Sequence, residues 1–531
     1  MIRASLVLLV LCCLAAPALF AQEFHRPNWQ NLDLQHDSVF GISTERAYRE
    51  LLAGKHPTTV IVAVIDIGMD TGHEALKGRV WTNPREVAGN GVDDDHNGYT
   101  DDLHGWNFTG EIKDSVLNDN FELTRLIRRD KPKYDTLTAG MLSDADRPAF
   151  LAYRANLAEY NRNAAVFRSN LEHNTRYLHV LDSMKQKIGK DTPTLAEMQQ
   201  FQPQDKDAED IKASIIRRLT ASPGFANERV EILNAIKICF ERAKYDYNLD
   251  YEPHGVAGKD ENNDHERFYG NPDATGPDPF HGTFIAGLIG AVRNNGKGID
   301  GIADHVQVMS IRIGNGGDER DKNVANAIRY ATENGAGVIN MSFGKFYSYD
   351  KAVVDEAVKY AMSKDVLIVH GAGNDGKNTD DPDLAFFPTK YYGDGSGQAE
   401  AWITVGASRW RDDSSLITPF SNYGKRTVDV FAPGAQLYSC WPGSTYQYGG
   451  GTSYATPIVA GLAALIREYY PKLSAVQVKD IILRSVVKPT HTVIVKEGRS
   501  AKVAKLVWLS DICTSGGVVN AYNALKLAAT Y

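Results

Sequence analysis

The chain has 531 residues, of which 43% are hydrophobic, and its formal net charge is −8. This length and apolar content allow a large buried core and indicate more than one folding unit. Because the net charge is mildly negative and the sequence holds no basic tract, we expect no nucleic-acid partner.

The N-terminal residues 1–21 have the pattern of a secretory signal peptide: a basic start, an apolar run and small residues at Ala18 and Ala21, where cleavage is expected. The apolar run is short for a membrane span, and no later segment is long enough to be one. Cys12 and Cys13 raise the question of a lipid anchor, but neither follows the small residue that a lipoprotein signal needs. We therefore expect a secreted or periplasmic protein without a lipid anchor.

Residues 22–57 form a short N-terminal lead-in of mixed composition, in which residues 40–52 could be an amphipathic helix packed on the body. The apolar, β-branched run from Thr59 predicts a buried parallel strand that ends at Asp66, and Gly68 allows a sharp exit. Parallel α/β sheets place their functional sites at the carboxyl ends of their strands, although an aspartate there is often only a turn or helix-cap residue.

The loop 91–102 carries oxygen-bearing residues at alternate positions, and Gly98 can make its turn. This spacing is typical of the first part of a calcium loop, but the closing glutamate is missing and His104 stands in its place. The alternative is a solvated acidic turn, which we disfavour because its carboxylates would repel one another without a cation. The predicted calcium ligands are Asp93, Asp95, Asn97, the Tyr99 carbonyl and Asp101.

Residues 115–250 are predicted to be a helical insertion between Asp66 and His281. Apolar residues spaced by three and four run from Phe150 to Leu181, with Ile188 one heptad further, which indicates a long coiled-coil seam. Ser143 or Asp144 could cap its start and Gly189 could end it; Thr194 and Glu197 form a capping box for another helix. The pattern leaves open a single helix on the body or a projecting hairpin, and any partner of the insertion is unidentified.

From Tyr269 onward, apolar strands alternate with helices, which predicts a parallel sheet in an α/β/α sandwich. The predicted fold is thus a three-layer α/β/α sandwich formed by 58–114 and 251–531. The predicted strands are Val308–Ile313, Val338–Met341, Val366–His370, Ile403–Val405 and Val428–Phe431, and the helices lie near 323–334, 351–363, 455–469 and 474–486.

Two further segments place polar residues at the start of buried helices. His281 opens the apolar small-residue helix of His281–Gly287, and Ser453 follows three glycines and precedes an apolar helix. A helix N-terminus has unpaired N–H groups that stabilise an oxyanion, although an ordinary helix cap is the usual role of a serine there. The order Asp66, His281, Ser453 is that of the triad in subtilisin.

The chain resembles the subtilisin-like serine proteases, or subtilases. The resemblance is carried in order by VIDIGMD around Asp66, HGTFIAG from His281 and GTSYATP around Ser453. Two more segments match the family, namely VINMSFG at Val338–Gly344 and GAGNDG at Gly371–Gly376. It covers about 58–105 and 255–531, so the helical insertion has no match. Many relatives have a second histidine where this chain has Phe284 and a valine where it has Ile285, but neither position carries the chemistry.

The resemblance implies a serine endopeptidase with Ser453 as nucleophile, His281 as general base, Asp66 orienting the imidazole and Asn374 donating to the oxyanion. It implies protein or peptide substrates, structural calcium and no organic cofactor. Subtilases usually have a longer propeptide than the lead-in has room for. The resemblance also implies substrate contacts in a broad, unselective pocket, from Ser342, Phe343, Gly344, Ala372 and Gly373.

Two rival functions are a non-catalytic binding protein on a subtilase scaffold and a serine esterase. The first would be expected to lose Asp66, His281, Ser453 or Asn374, and none is lost. The second would need a Gly-x-Ser-x-Gly elbow, which the segment around Ser453 lacks.

Cysteines give no disulfide framework and no metal-type spacing. Cys239, Cys440 and Cys513 would remain after signal removal. They allow either one bridge or three buried thiols.

Overall fold

The computed structural model describes residues 26–110, 118–203, 205–221, 225–253, 263, 265–314, 316–498 and 503–531. The predicted signal peptide and the cysteines within it lie outside these residues. Within the described part of the chain, no helix combines the length and apolar character needed to cross a membrane.

Seven parallel strands form the central sheet, in the order β2-β3-β1-β4-β5-β6-β7. The strands are β1 Val60–Asp66, β2 Gly105–Asn107, β3 Val306–Arg312, β4 Val338–Met341, β5 Leu367–Gly371, β6 Trp402–Ser408 and β7 Val430–Pro433. Two antiparallel pairs lie outside the sheet: β8 Leu437–Trp441 with β9 Thr445–Gly449, and β10 Val493–Lys496 with β11 Ala504–Val507.

Thirteen α-helices are found among the described residues. They are α1 Leu34–Asp37, α2 Thr44–Ala47, α3 Glu122–Tyr134, α4 Arg147–Ile188, α5 Leu195–Gln200, α6 Lys206–Ala221, α7 Phe225–Glu241, α8 Phe280–Gly290, α9 Asp321–Glu333, α10 Lys351–Ser363, α11 Thr452–Tyr469, α12 Ala475–Arg484 and α13 Ala521–Ala528.

The sheet is buried on both faces, which confirms the three-layer α/β/α fold. Val62 and Val64 of β1 pack in the core that contains α8 and α11, whereas Ala63 and Ile65 pack in the core of α9 and α10. Alternate residues of a strand point to opposite faces, so the unbroken apolar run of β1 fits a strand covered on both sides. The predicted strands match β3 to β7: β4 has the predicted bounds, and the other four differ by one to three residues at their ends.

The lead-in has less helix than expected. Helix α2 begins only at Thr44 and continues as a π-helical turn from Tyr48 to Leu52. The preceding residues bend instead, because Gly41 lies against three backbone carbonyls and Ser43 has a positive φ of 62°.

The long helix of the insertion is continuous over 42 residues and ends at Gly189, whose φ of +73° fits a left-handed C-cap. It begins at Arg147, where the Ser143 hydroxyl accepts from the Asp146 N–H. The capping box of Thr194 and Glu197 is present at α5.

Helix α4 packs along α7 and contacts α3 and α6, so it belongs to a helical bundle rather than lying alone. The apolar seam of α4 contributes residues to two hydrophobic clusters. The basal cluster comprises Leu123, Ile127, Tyr134, Phe150, Tyr153, Tyr160, Ala164 and Tyr247, with Tyr347 of the sandwich packed against it. The distal cluster comprises Tyr177, Val180, Leu181, Met184, Met198, Phe201, Ala208, Ile211, Ile215, Leu219 and Ile232.

Candidate active site

Asp66 and His281 meet at the carboxyl edge of the sheet. Asp66 is the last residue of β1 and His281 is the second residue of α8. The imidazole Nδ1 lies 2.9 Å from each carboxylate oxygen of Asp66, and the Ile67 N–H donates to Oδ1 at 2.8 Å. Asp66 is buried, and these hydrogen bonds compensate for the loss of water around its charge.

Two glycines allow this meeting. A Cβ atom on Gly282 would lie 2.1 Å from the Gly68 carbonyl oxygen, so α8 approaches the chain after β1 as closely as backbone allows. Gly68 itself has a φ of +117°, which favours glycine, and it lies equally close to the carbonyl of Thr275. The glycines of the two motifs therefore set the distance between Asp66 and His281.

The surroundings of His281 favour its charged form. Burial acts to lower the pKa of His281, but the charge and hydrogen bond of Asp66 outweigh it, so the pKa is raised above its ordinary value. Glu319 adds a smaller effect in the same direction. Burial, with the nearby Asp318, raises the pKa of Glu319 to about 7. The imidazole is thus set up to receive a proton.

Ser453 is the second residue of α11. Its backbone carbonyl accepts from the Ser342 hydroxyl at 2.8 Å, which ties the helix start to the end of β4. Asn374 follows β5, and its amide oxygen accepts from the Thr452 N–H at 2.8 Å. The NH₂ group is therefore the donor part of the Asn374 side chain beside the serine.

One cleft of about 820 Å³ contains these groups, so all five sequence motifs converge there. It is lined by Asp66, His281, Asn374 and Ser453 together with Ser342, Phe343, Gly344 and Gly373. Ala372, also expected at the substrate, lines a neighbouring cavity of about 520 Å³ instead.

The helical insertion forms part of the same cleft, although its sequence did not indicate which of its residues line it. Its lining residues are Phe121, Leu123, Glu159, Arg162, Arg242 and Tyr247. Phe121 and Tyr247 contact edge to face with ring centres 5.1 Å apart, and the Arg242 guanidinium lies over the Phe121 ring at 4.4 Å. These contacts place a packed aromatic pair with a cation over it in the lining of the cleft.

A buried ionic network attaches the insertion to two segments that line the cleft. Glu122 of α3 pairs with Arg125 and lies 3.2 Å from Lys345, which follows the β4 segment. Asp119 pairs with Arg320 at 2.7 Å, and the Glu122 N–H donates to Asp318 at 2.8 Å. These side chains are largely removed from water and share their counter-charges, since Lys345 also pairs with Asp321 at 2.7 Å and Arg125 lies 3.2 Å from Asp119. Removal of one acid therefore weakens a buried network of several charges.

The acidic loop brings together fewer of its predicted ligands than the spacing suggests. Oxygens of Asp93, Asp95 and Glu86 lie within 4.8 Å of one another. Glu86 was missed because it precedes the loop. One of its carboxylate oxygens accepts from the Asp94 and Asp95 N–H groups, and the other is buried without a hydrogen-bond partner. An orphaned buried carboxylate oxygen fits a cation.

Two of the remaining predicted ligands, Asn97 and Asp101, are hydrogen-bonded within the loop. The Asn97 amide accepts from the Tyr99 N–H and donates to Asp102, and the Asp101 carboxylate accepts from the Gly91 N–H at 3.0 Å. The Tyr99 ring is buried among Trp106, Phe108 and Tyr330. Burial raises the pKa of Asp102 to about 6 in spite of its hydrogen bonds.

The three cysteines among the described residues, Cys239, Cys440 and Cys513, are free and buried. Of the two arrangements left open by the sequence, the structure has three thiols.

Comparisons with known proteins agree with the motifs. The chain is 39% identical over 187 residues to a thermophilic serine proteinase of Bacillus sp. (strain AK1), across 35% of this chain and 42% of that protein. It is 36% identical over 211 residues to subtilisin DY of Bacillus licheniformis (40% and 70% of the two chains) and 38% identical over 187 residues to thermitase of Thermoactinomyces vulgaris (35% and 60%). The match thus spans less than half of the first relative and 60–70% of the other two. The sequence profile of the Subtilase family matches residues 58–506, and the chain therefore belongs to the subtilase family.

Proposed function

We propose that the protein is a serine endopeptidase that cleaves proteins or peptides, with Ser453, His281 and Asp66 as its triad. The observation that carries this proposal is the contact of the His281 Nδ1 with both Asp66 oxygens, in a cleft that Ser453 and Asn374 also line. Digestion of a peptide library by the purified chain tests it: cleavage that a fluorophosphonate abolishes is expected. A binding protein would cleave nothing, and an esterase would cleave short esters alone.

In the proposed mechanism, the Ser453 hydroxyl attacks the scissile carbonyl while His281 Nε2 takes its proton. The Asp66 carboxylate accepts the hydrogen bond from the His281 Nδ1–H and stabilises the imidazolium. The carbonyl oxygen, now negative, is stabilised by the Asn374 NH₂ group and the Ser453 N–H at the start of α11. Collapse breaks the peptide bond, and the imidazolium gives its proton to the leaving amine. Water then attacks the acyl-enzyme while His281 takes its proton, the ester bond to Ser453 breaks, and the imidazolium returns the proton to the Ser453 oxygen.

We also propose that the protein is exported. Support comes from the signal-like composition of residues 1–21.

A calcium ion is the second part of the proposal. We propose that Glu86, Asp93 and Asp95 bind it, with further oxygens of the loop completing the shell, since calcium takes six to eight oxygen ligands. The buried, unpartnered oxygen of Glu86 supports this, because burying a carboxylate without a partner is costly. Calcium would tie the loop 86–102 into a single conformation.

Removal of calcium is expected to lower the melting temperature. A ligand that binds only the folded state at a hundredfold excess over its Kd contributes about 2.7 kcal/mol to the free energy of unfolding. Glu86→Gln and the double variant Asp93→Asn with Asp95→Asn should lose most of the difference between melting curves in excess calcium and in chelator. Asp210→Asn, an exposed change of equal charge on α6, should keep it. Curves that coincide in calcium and chelator for the native chain would contradict the site.

The role of the helical insertion is the third part of the proposal. We propose that its distal half controls which proteins reach the cleft or recruits a partner, while its basal half supports the cleft walls. Support for the basal role comes from the ionic network to Lys345 and Arg320 and from the lining residues on α3 and α4. The distal cluster shares no residue with the cleft lining.

Two deletions of the insertion are expected to differ. Asn174 and Cys239 are in contact across α4 and α7, so a short Gly/Ser linker can replace 175–238 and leave the basal cluster intact. This variant should keep fluorophosphonate labelling of Ser453, and cleavage of folded proteins should change more than cleavage of short peptides. Replacement of 118–250 takes Asp119 from Arg320, Glu122 from Lys345 and the basal cluster from Tyr347, and it should fold poorly. Equal effects of the shorter deletion on large and small substrates would count against gating or recruitment.

A further inference from the structure

The space between the two predicted substrate walls holds an aromatic ring. A Cβ atom on Gly344 would lie 2.3 Å from Cε1 of Phe386 and 2.7 Å from its Cζ. A Cβ atom on Gly373, in the opposite wall, would lie 2.7 Å from the same Cζ and 2.9 Å from Cε2. The outer edge of one phenyl ring therefore touches both walls and spans the gap between them.

Phe386 also separates two cavities. It lines the catalytic cleft together with Ser453, and it lines the neighbouring cavity of about 520 Å³ together with His370 and Ala372. The ring is half-buried, in contact with the rings of Phe346 and His370 at centre distances of 5.2 and 5.9 Å. It thus stands where a side chain entering from the cleft would pass toward the second cavity.

We propose that Phe386 closes the pocket for the acyl residue, meaning the residue whose carbonyl Ser453 attacks, and so restricts cleavage to bonds after small residues such as glycine, alanine and serine. This inference rests on the proposed function and names its substrate class. It replaces the broad, unselective pocket expected from the glycines of the walls. Those glycines are small, but the ring between them takes up the space that they leave.

The physical basis is exclusion by a packed side chain. Protein interiors are close-packed, so a leucine or phenylalanine at the acyl residue can enter only if the Phe386 ring moves. The ring is bounded by both walls and by two aromatic neighbours, which oppose that movement. A single methylene in such a pocket changes kcat/KM by about 10–200-fold, so a whole phenyl ring should be strongly discriminated against.

The test is a peptide series that differs only at the acyl residue, measured as kcat/KM with the full-length protein. The native chain should prefer alanine over phenylalanine by at least about tenfold. Phe386→Ala joins the cleft to the second cavity and should raise kcat/KM for the phenylalanine peptide by at least about tenfold. For Phe386→Leu, kcat/KM for the phenylalanine peptide should lie between the values of the native chain and of Phe386→Ala. This variant provides the test if the alanine variant folds poorly. Phe240→Ala removes an exposed ring on α7 that lines neither cavity, and it should leave the preference unchanged.

Fluorophosphonate labelling of Ser453 separates failure of the pocket from failure of the chemistry. If Ser453 is labelled but the native chain cleaves after phenylalanine as well as after alanine, the pocket inference is overturned and the proposed function stands. An unchanged preference in both folded Phe386 variants also overturns it, as does labelling without cleavage of any peptide in the series. Absence of both labelling and cleavage overturns the proposed function, and the pocket inference with it.

Discussion

Replacement of Ser453 with alanine is expected to abolish cleavage while the protein still folds. In subtilisin, loss of the triad serine or histidine lowers turnover about 10⁶-fold, and a fall of that order is expected here. The fold should persist because the Ser453 contact with Ser342 is made by the backbone carbonyl, which alanine keeps. The measurement is the turnover of a peptide substrate, with the melting temperature as the control for folding.

The matched control for this change is Ser363→Ala. Ser363 ends α10, and its exposed hydroxyl only donates to the Tyr360 carbonyl. This variant should cleave at the native rate. Turnover of the Ser453→Ala protein within tenfold of the native value would remove Ser453 from the chemistry.

Asp66→Asn is expected to have the second largest effect, a loss of about 10⁴-fold in turnover at neutral pH. Asparagine has the same shape but no charge, so it neither stabilises the imidazolium nor fixes the tautomer of His281. The protein should remain folded, because the Ile67 N–H can still donate to the amide oxygen at this position.

The pH dependence of this variant gives an independent reading. His281 acts as a base only when neutral, so activity is lost as the pH falls through its pKa. Because the Asp66 charge raises that pKa, its removal should move the acidic limb of the kcat/KM profile to lower pH. Asp70→Asn is the control, since the Asp70 carboxylate accepts from the Gly72 and Gly443 N–H groups and does not contact His281. A limb that stays in place or moves upward would contradict the assigned pairing.

The sheet and the motifs could be predicted because their signals are local. The unbroken apolar run of β1 indicates a strand that is buried on both faces. Asp66, the polar residue that ends this run, indicates the carboxyl edge of the sheet. The spacing of apolar residues along α4 is also a local signal. Gly189 adopts a left-handed backbone conformation and ends the helix where the sequence indicates. The partners of α4 could not be predicted, because an apolar seam specifies no particular surface.

What the sequence did not reveal depends on contacts between distant segments. Glu86 precedes the acidic loop and joins Asp93 and Asp95 only through the fold. The pairing of Glu122 with Lys345 joins the insertion to the segment after β4, which lies far away in the sequence. Phe386 is an ordinary apolar residue in sequence, and only its contacts with Gly344 and Gly373 show that it lies between the walls.

Identification of the residue that a fluorophosphonate modifies tests the proposed chemistry most directly. The full-length protein is treated with the probe at neutral pH, digested with a second protease, and the adduct is located by mass spectrometry. A single adduct on Ser453 is predicted, and it should be lost in Ser453→Ala and much slower in Asp66→Asn, because only a serine activated by a neighbouring base reacts readily. No adduct on the folded native chain, or an adduct on another residue with Ser453 unmodified, would contradict the assignment of Ser453 as the nucleophile.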